Sequence, residues 1–220
     1  MNGRVTSISG SSQATLLRSA AIALLACIWL AMLLLGQGPL DRSVYEALYA
    51  GGNPALMTIA HVMTALGEPT VLVTAGFVVA LWLWIRGRRR FAAALLIVIL
   101  VGRGLSEVQK YWIDRARPNF EPHLVFVKSP SFPSGHATSS MIFYLTLSLA
   151  LVPEGQRRRI AVAAAIVLSL LIGTSRVMLG VHWPSDVIAG WSFGALWVIL
   201  TLRRTERLLG PDSRVPTKQL

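Results

Sequence analysis

Six long apolar blocks, separated by short polar or arginine-rich breaks, dominate the pattern along the chain. From Ser19 to Gly36 the run SAAIALLACIWLAMLLLG carries no charge, and as a helix it would be roughly 27 Å long, close to the thickness of a bilayer's hydrocarbon layer. A second block, about Pro69 to Ile85, ends on Trp82 and Trp84 and runs into Arg86-Gly87-Arg88-Arg89-Arg90, an interfacial aromatic pair abutting a cationic loop. The third starts at Phe91, stays apolar to Leu105 and is expected to continue as a helix beyond the membrane toward Ile113. The fourth, His136 to Leu151, is closed by Pro153-Glu154-Gly155 and the triple Arg157-Arg158-Arg159; a fifth covers about Ile160 to Thr174 and a sixth about Ser185 to Leu202. Between the first two blocks, Gln37 to Glu68 is mixed and broken by Gly38, Pro39, Gly51, Gly52 and Pro54. Within it, Pro54 to Leu66 reads as an interfacial or partly buried helix, with His61 a packed or surface residue.

This pattern predicts an all-α fold: an integral membrane bundle of six transmembrane helices over residues 19–209, between a cytoplasmic N-terminal tail (1–18) and a cytoplasmic C-terminal tail (210–220). The 220 residues are 54% apolar and only 14% charged, which excludes an ordinary soluble domain and fits one membrane-embedded domain. A net charge of +11 would suit nucleic acid, but its distribution points elsewhere. Arg4 and Arg18, Arg86 and Arg88 to Arg90, Arg157 to Arg159, and Arg203, Arg204, Arg207, Arg214 and Lys218 make up 14 of the 21 basic residues. All flank the same ends of the predicted spans, so the positive-inside bias puts both termini in the cytoplasm. Most of the remaining cations then belong to the outer face. A secretory signal is disfavoured because no small-x-small cleavage site follows the first apolar run. The single cysteine, Cys27, excludes an intrachain disulfide and is read as a small packing residue. Arg103, Glu107 and Lys110 share a helix face, where Glu107 can pair with either cation. Arg103 lies ~18 Å along its span and is expected to face the bundle interior.

Three segments share the outer face: Lys110-Tyr-Trp-Ile-Asp-Arg-Ala-Arg117-Pro118, Pro133-Ser134-Gly135-His136, and Ser175-Arg176-Val-Met-Leu-Gly-Val-His182-Trp-Pro-Ser-Asp186. Lys110, Arg117 and Arg176 supply three cations for a tetrahedral dianion, and Arg can hold two oxygens at once. Ser134 adds a hydroxyl and Gly135 a backbone N–H at a helix start, a ready anion site. Pro118 disfavours helix at Arg117, so Arg117 is expected to leave the helix axis and be free to bend over a ligand. His182 and Asp186 are four apart, with Pro184 at the start of a helix, so the two side chains can meet on one turn. A carboxylate accepting Nδ1–H leaves Nε2 as a nucleophile; the alternative is a capping Asp beside a structural His. His136 is then suited to protonate a leaving oxygen and later to activate water. His123 has no such partner and reads as a surface residue.

These segments resemble the signature of the type 2 phosphatidic acid phosphatase superfamily, which also includes bacterial acid phosphatases and vanadium haloperoxidases. The resemblance covers Lys110 to Asp186 directly, as KYWIDRARP, PSGH and SRVMLGVHWPSD, and the six-span layout extends it over most of the chain. It implies a membrane-bound bacterial lipid phosphatase in which His182 attacks phosphorus to form a phosphohistidine, Asp186 orients it and His136 is the acid/base. Lys110, Arg117, Ser134, Gly135 and Arg176 would bind phosphate. The resemblance implies no metal and no cofactor, and the outer face offers no clear carboxylate cluster for magnesium.

The substrate implied is an amphiphilic phosphomonoester or pyrophosphate, with undecaprenyl pyrophosphate, phosphatidylglycerol phosphate, phosphatidic acid and lipid A phosphates as candidates. The partners expected are that lipid and the surrounding membrane lipids, with no nucleic acid. The expected location is the bacterial inner membrane, with the active site on its extracytoplasmic face. A vanadium haloperoxidase would use the same residues to hold vanadate, although that branch is usually soluble. A non-enzymatic anion-binding transporter has no particular use for the His182–Asp186 pair. An intramembrane serine protease has little need for three converging cations.

Overall fold

The computed structural model describes residues 6–209, with side chains for 12, 13 and 15–201. The chain is all-helical: α1 (Thr6–Leu35), α2 (Pro39–Leu48), α3 (Pro54–Leu66), α4 (Pro69–Ile85), α5 (Arg89–Ile113), α6 (Gly135–Leu151), α7 (Gln156–Met178) and α8 (Pro184–Leu209). Local chemistry explains the boundaries. Pro39, Pro54, Pro69 and Pro184 each open a helix, where the missing N–H costs nothing and the fixed φ is already helical. Asn53 caps α3 by accepting the Ala55 and Leu56 N–H groups at 3.1 Å. Asp114 ends α5 in the left-handed conformation, φ 48°, with its N–H on the Lys110 carbonyl.

The six expected spans correspond to α1 and α4 to α8, but the helix count is eight because Gln37–Glu68 folds into α2 as well as the expected α3. In α2 the buried residues Asp41 and Tyr45 lie one turn apart and anchor it to the bundle. Helix α1 begins at Thr6, inside the stretch expected to be a tail, whereas residues 210–220 lie outside those described. Four segments are long and apolar enough to cross a membrane: Thr15–Leu35, Pro54–Ile85, Arg89–Ile113 and Gln156–Met178. The expected fourth and sixth spans are not among them. Helix α6 has only 17 residues and buries Thr138, Ser139, Ser140 and Thr146, which suits a helix surrounded by protein rather than lipid. Large apolar side chains such as Leu24, Val78, Leu81, Ile97, Val108 and Leu171 point outward, an arrangement that water would penalise and a bilayer favours. Cys27 is exposed among them, so it does not pack in the interior. Arg103 is half-buried and 3.7 Å from Glu107: the i,i+4 pair lets the cation sit at the edge of the bundle.

Helix α6 is the centre of the fold, in contact with α4, α5, α7 and α8. Its approach to α8 is set by two glycines one turn apart. A Cβ at Gly190 would lie 2.8 Å from the Ser134 carbonyl oxygen and 2.9 Å from Ala137 Cβ; one at Gly194 would lie 2.9 Å from Met141 Cβ and 3.0 Å from the Thr138 oxygen. Small residues at this spacing let two backbones touch. The contact brings the start of α6 against the start of α8, where the Ser134 N–H donates to the Asp186 carbonyl at 2.9 Å.

Gly190→Leu is therefore expected to destabilise the protein by about 1–3 kcal/mol through overpacking. Gly104→Ala, with nothing within 4 Å of the added carbon, should be neutral or stabilising by up to about 1 kcal/mol. Unfolding titrations of the detergent-solubilised variants check both; equal effects would contradict this account of the α6–α8 contact.

Candidate active site

At one end of the bundle the last turns of α1, α5 and α7 meet the first turns of α6 and α8. The arginines around the α4–α5 turn (Arg86 and Arg88 to Arg90) and of the first turn of α7 (Arg157 to Arg159) lie at the other end. Helix α7 runs to Met178 instead of ending near Thr174 as expected, which puts Arg176 in its last turn. It stops in a Schellman motif. The Val181 N–H reaches the Arg176 carbonyl at 3.2 Å and the Gly180 N–H the Val177 carbonyl at 2.9 Å, with Gly180 at φ +77°, a conformation that favours glycine. The reversal places His182 beside Arg176.

Asp186 then does two jobs. Its Oδ2 accepts the Trp183 N–H at 2.9 Å, reaching back from the third residue of α8 to the residue before it in the manner of a capping box. The same oxygen lies 3.4 Å from His182 Nδ1, a long hydrogen bond that selects the tautomer protonated at Nδ1 and leaves the Nε2 lone pair available. Both readings of Asp186, cap and histidine partner, therefore hold together. Two further residues complete its surroundings, neither of them singled out in the sequence. Ser131 Oγ donates to Oδ2 and stands 3.4 Å from His182 Nδ1. Arg115 Nη1 forms an ion pair with Oδ1 at 3.0 Å. Arg115 also donates to the Met32 and Leu33 carbonyls at 3.0 and 2.7 Å and stacks over the Phe132 ring at 4.3 Å. Asp186 is fully buried, and a buried carboxylate beside a neutral imidazole calls for a cation elsewhere. That requirement is the one signal in the sequence that could have pointed to Arg115.

The three expected anion-binding cations come together, each held by neutral groups. Lys110 Nζ donates to the Pro130 and Pro133 carbonyls at 3.1 and 2.8 Å, leaving one of its three donors unused. Arg117 leaves the helix axis as expected, but it is not free: Nε donates to the Ser129 carbonyl at 2.8 Å and Nη2 to that of Pro130 at 3.3 Å. Its Nη1 donates to the Val181 carbonyl and lies 3.3 Å from His182 Nε2. Arg176 Nη1 donates to Thr64 Oγ1 at 2.7 Å, while its buried Nε has no partner. Ser134 precedes α6 without capping it, and its Oγ is buried and unpartnered. Gly135 opens α6 facing Lys110, where a Cβ would come 3.6 Å from Cε. Ser134 Oγ and Arg176 Nε are thus buried without a partner, and Lys110 keeps one donor unused.

His182 is 2% exposed. Burial, reinforced by the nearby charges of Arg117, Lys110, Arg176 and His136, pushes its imidazole well below the usual histidine range, so it is neutral. His136 lies at the rim, with Nε2 3.1 Å from Glu68 Oε2, a carboxylate from the α3–α4 break. His123 is exposed and turned to the Pro118 carbonyl at 2.7 Å, away from the site. Among the described residues no group of three or more His, Cys, Asp or Glu side chains could hold a metal ion.

The cations gathered around a buried histidine sit at one end of an all-helical, apolar-faced bundle, and the chain is similar to membrane phosphatases. Residues 91–209 match the PAP2 superfamily, and the chain belongs to that superfamily. It is 30% identical over 172 residues to phosphatidylglycerophosphatase B of Bacillus subtilis, covering 76% of this chain and 84% of that one. With the lipid A 1-phosphatase of Rhizobium johnstonii it shares 38% identity over 118 residues, half of this chain and 46% of the relative. The fold matches the crystal structure of the transmembrane PAP2 type phosphatidylglycerolphosphate phosphatase from Bacillus subtilis, with a TM-score of 0.76 and 26% identity over 90% of this chain and 98% of that one.

Arg115→Ala leaves Asp186 buried without its counter-ion. The expected loss is about 3–5 kcal/mol of stability, read from the midpoint of a denaturant titration in detergent; a loss below about 1 kcal/mol would show that the ion pair does not hold the site together.

Proposed function

We propose that this PAP2-type membrane phosphatase hydrolyses a phosphomonoester or pyrophosphate of an amphiphilic lipid through a phosphohistidine on His182, without a metal ion. The observation that carries this reading is a buried, neutral histidine whose Nε2 faces an arginine and whose surrounding cations are tied to backbone and hydroxyl oxygens instead of carboxylates. Their charge is left for an anionic ligand.

In the proposed reaction the phosphoryl group sits among Lys110, Arg117, Arg176, Ser134 and the N–H groups of Gly135 and its neighbours. Nε2 of His182 attacks phosphorus, and the N–P bond forms as the bond to the lipid oxygen breaks. That oxygen takes a proton from His136. Water then attacks phosphorus, giving a proton back to His136 while the P–N bond breaks, and inorganic phosphate leaves. Asp186 holds Nδ1–H throughout, with its own charge balanced by Arg115. Fixed cations in a low-dielectric setting stabilise the charge that builds on the transferring group, the main demand of phosphoryl transfer.

The substrate class draws support from the names of the relatives, a phosphatidylglycerophosphatase and a lipid A 1-phosphatase, and from apolar helices that would let a lipid tail stay in the bilayer. The location proposed is the bacterial inner membrane, with the arginine-rich loops and both termini in the cytoplasm and the site on the extracytoplasmic face. The unit proposed is one phosphatase domain over 19–209 between two short tails.

Phosphate release from detergent-purified protein, with EDTA present, is expected from at least one of phosphatidylglycerol phosphate, phosphatidic acid, lipid A and undecaprenyl pyrophosphate. His182→Ala should lower it by on the order of 10⁴-fold or more; substantial residual turnover, or loss in EDTA, would sink the mechanism. Because His182 resists protonation, the acid limb of kcat/KM should lie below the ordinary histidine value of about 6.5. A limb at or above that value would mean that another group is the nucleophile.

A further inference from the structure

Glu68 belongs to none of the three motifs and lies outside the matched residues 91–209. It occupies the two-residue break between α3 and α4, and that break is fixed on several sides. Tyr144 of α6 donates its hydroxyl to the Leu66 carbonyl at 2.8 Å, and Arg176 of α7 holds Thr64 at 2.7 Å. Gly67 runs so close to α7 that a Cβ would fall 2.1 Å from Cγ2 of Ile172. These contacts bring Glu68 Oε2 to 3.1 Å from Nε2 of His136.

The site thus contains two histidine–carboxylate couples, and they differ in charge balance. Asp186 already has Arg115 at 3.0 Å, so His182 beside it needs no proton. Glu68 has no ion-pair partner except His136 among the described residues. The other titratable groups facing His136 are Lys110 from α5, Arg176 from α7 and His182 from the α7–α8 turn, two cations and a neutral imidazole. An imidazolium at His136 is opposed first by burial and then by both cations, and is favoured by Glu68 alone.

We propose that Glu68 is a positioning residue for the general acid, orienting the His136 ring and easing its protonation against burial and the two neighbouring cations. The site would then run on two unlike couples, one histidine kept neutral to attack and the other helped by its carboxylate to take up the proton it donates, a division of labour set by environment. When His136 gives up its proton, the Glu68 carboxylate favours the return of one from the attacking water. This inference rests on the proposed role of His136 in lipid phosphate hydrolysis.

The test is Glu68→Gln, which keeps size and hydrogen bonding but removes the charge. On a lipid phosphate with an alcohol leaving group, kcat at pH 7 should fall about 10- to 100-fold, part of the effect of a general acid, and the pH optimum should move to lower pH. On p-nitrophenyl phosphate, whose leaving group needs no proton, the loss should be less than about 3-fold on the same reasoning, and Glu68→Asp should recover part of the lipid activity. Equal losses on both substrates with an unmoved pH profile would overturn the proposal. Nitrogen-15 NMR of labelled histidine supplies a readout independent of turnover: His136 should lose its proton at lower pH in Glu68→Gln than in the wild type, and identical titrations would overturn it. Should the wild type release no phosphate, or His182→Ala retain it, the phosphatase mechanism falls, while the histidine titration still decides the role of Glu68.

Discussion

The ion pair between Arg115 and Asp186 is the contact on which the site depends. A carboxylate with no exposure to solvent is a costly group unless its charge is matched and its lone pairs are filled. Arg115, Ser131 and the Trp183 N–H do both. Around that point three parts of the chain are tied together: the last turn of α1 through two carbonyls, the loop before α6 through Ser131, and the first turn of α8 through Asp186 itself. Ser185 extends the knot to α2, because its N–H and hydroxyl both donate to Asp41. The His182 ring is oriented by this assembly without having to share in its charge.

The same economy of charge governs the cations around His182. A cation can be immobilised by a carboxylate, which cancels it, or by carbonyl oxygens, which hold it and leave its field largely intact. Lys110 and Arg117 are held in the second way, by Pro130, Pro133, Ser129 and Val181. Close packing makes this possible. The glycine contact between α6 and α8 brings Pro133 and Ser134 down beside Asp186, and the loop carbonyls follow. Backbone geometry, set by small residues some distance along the helices, thereby determines how much positive charge a ligand meets.

Much of this was legible in the sequence. Pro54–Leu66 and Pro69–Ile85 were readable to the residue, because a proline opens each segment and a polar or charged break closes it. The PSGH and His182–Asp186 motifs stood out through residue type and spacing, and the structure brings His182 and Asp186 to 3.4 Å. What remained hidden were partners contributed from elsewhere in the chain. Arg115 looked like one more outer-face cation, since nothing in its spacing from Lys110 says that it turns inward to Asp186. Ser131 sat unremarked in a proline-rich loop, and Glu68 read as the end of a mixed segment. Helix α2 was missed because its ten residues are too short and too polar to show a membrane pattern, and its fixing residue, Asp41, is explained only by Ser185. The inward bend assigned to Arg117 was right in direction and wrong in freedom, because the carbonyls that hold it belong to loops whose paths a sequence does not reveal.

The bonds from Arg115 to Met32 and Leu33 have a consequence for how the molecule is made. Helix α1 supplies carbonyls to an arginine that follows α5, and that arginine neutralises an aspartate on α8. The surroundings of His182 are therefore complete only when α1 and α8 have found each other across the bundle. A chain with α1 to α5 in place but without α8 would hold Arg115 with no carboxylate to neutralise, so the buried charge itself favours completion of the bundle.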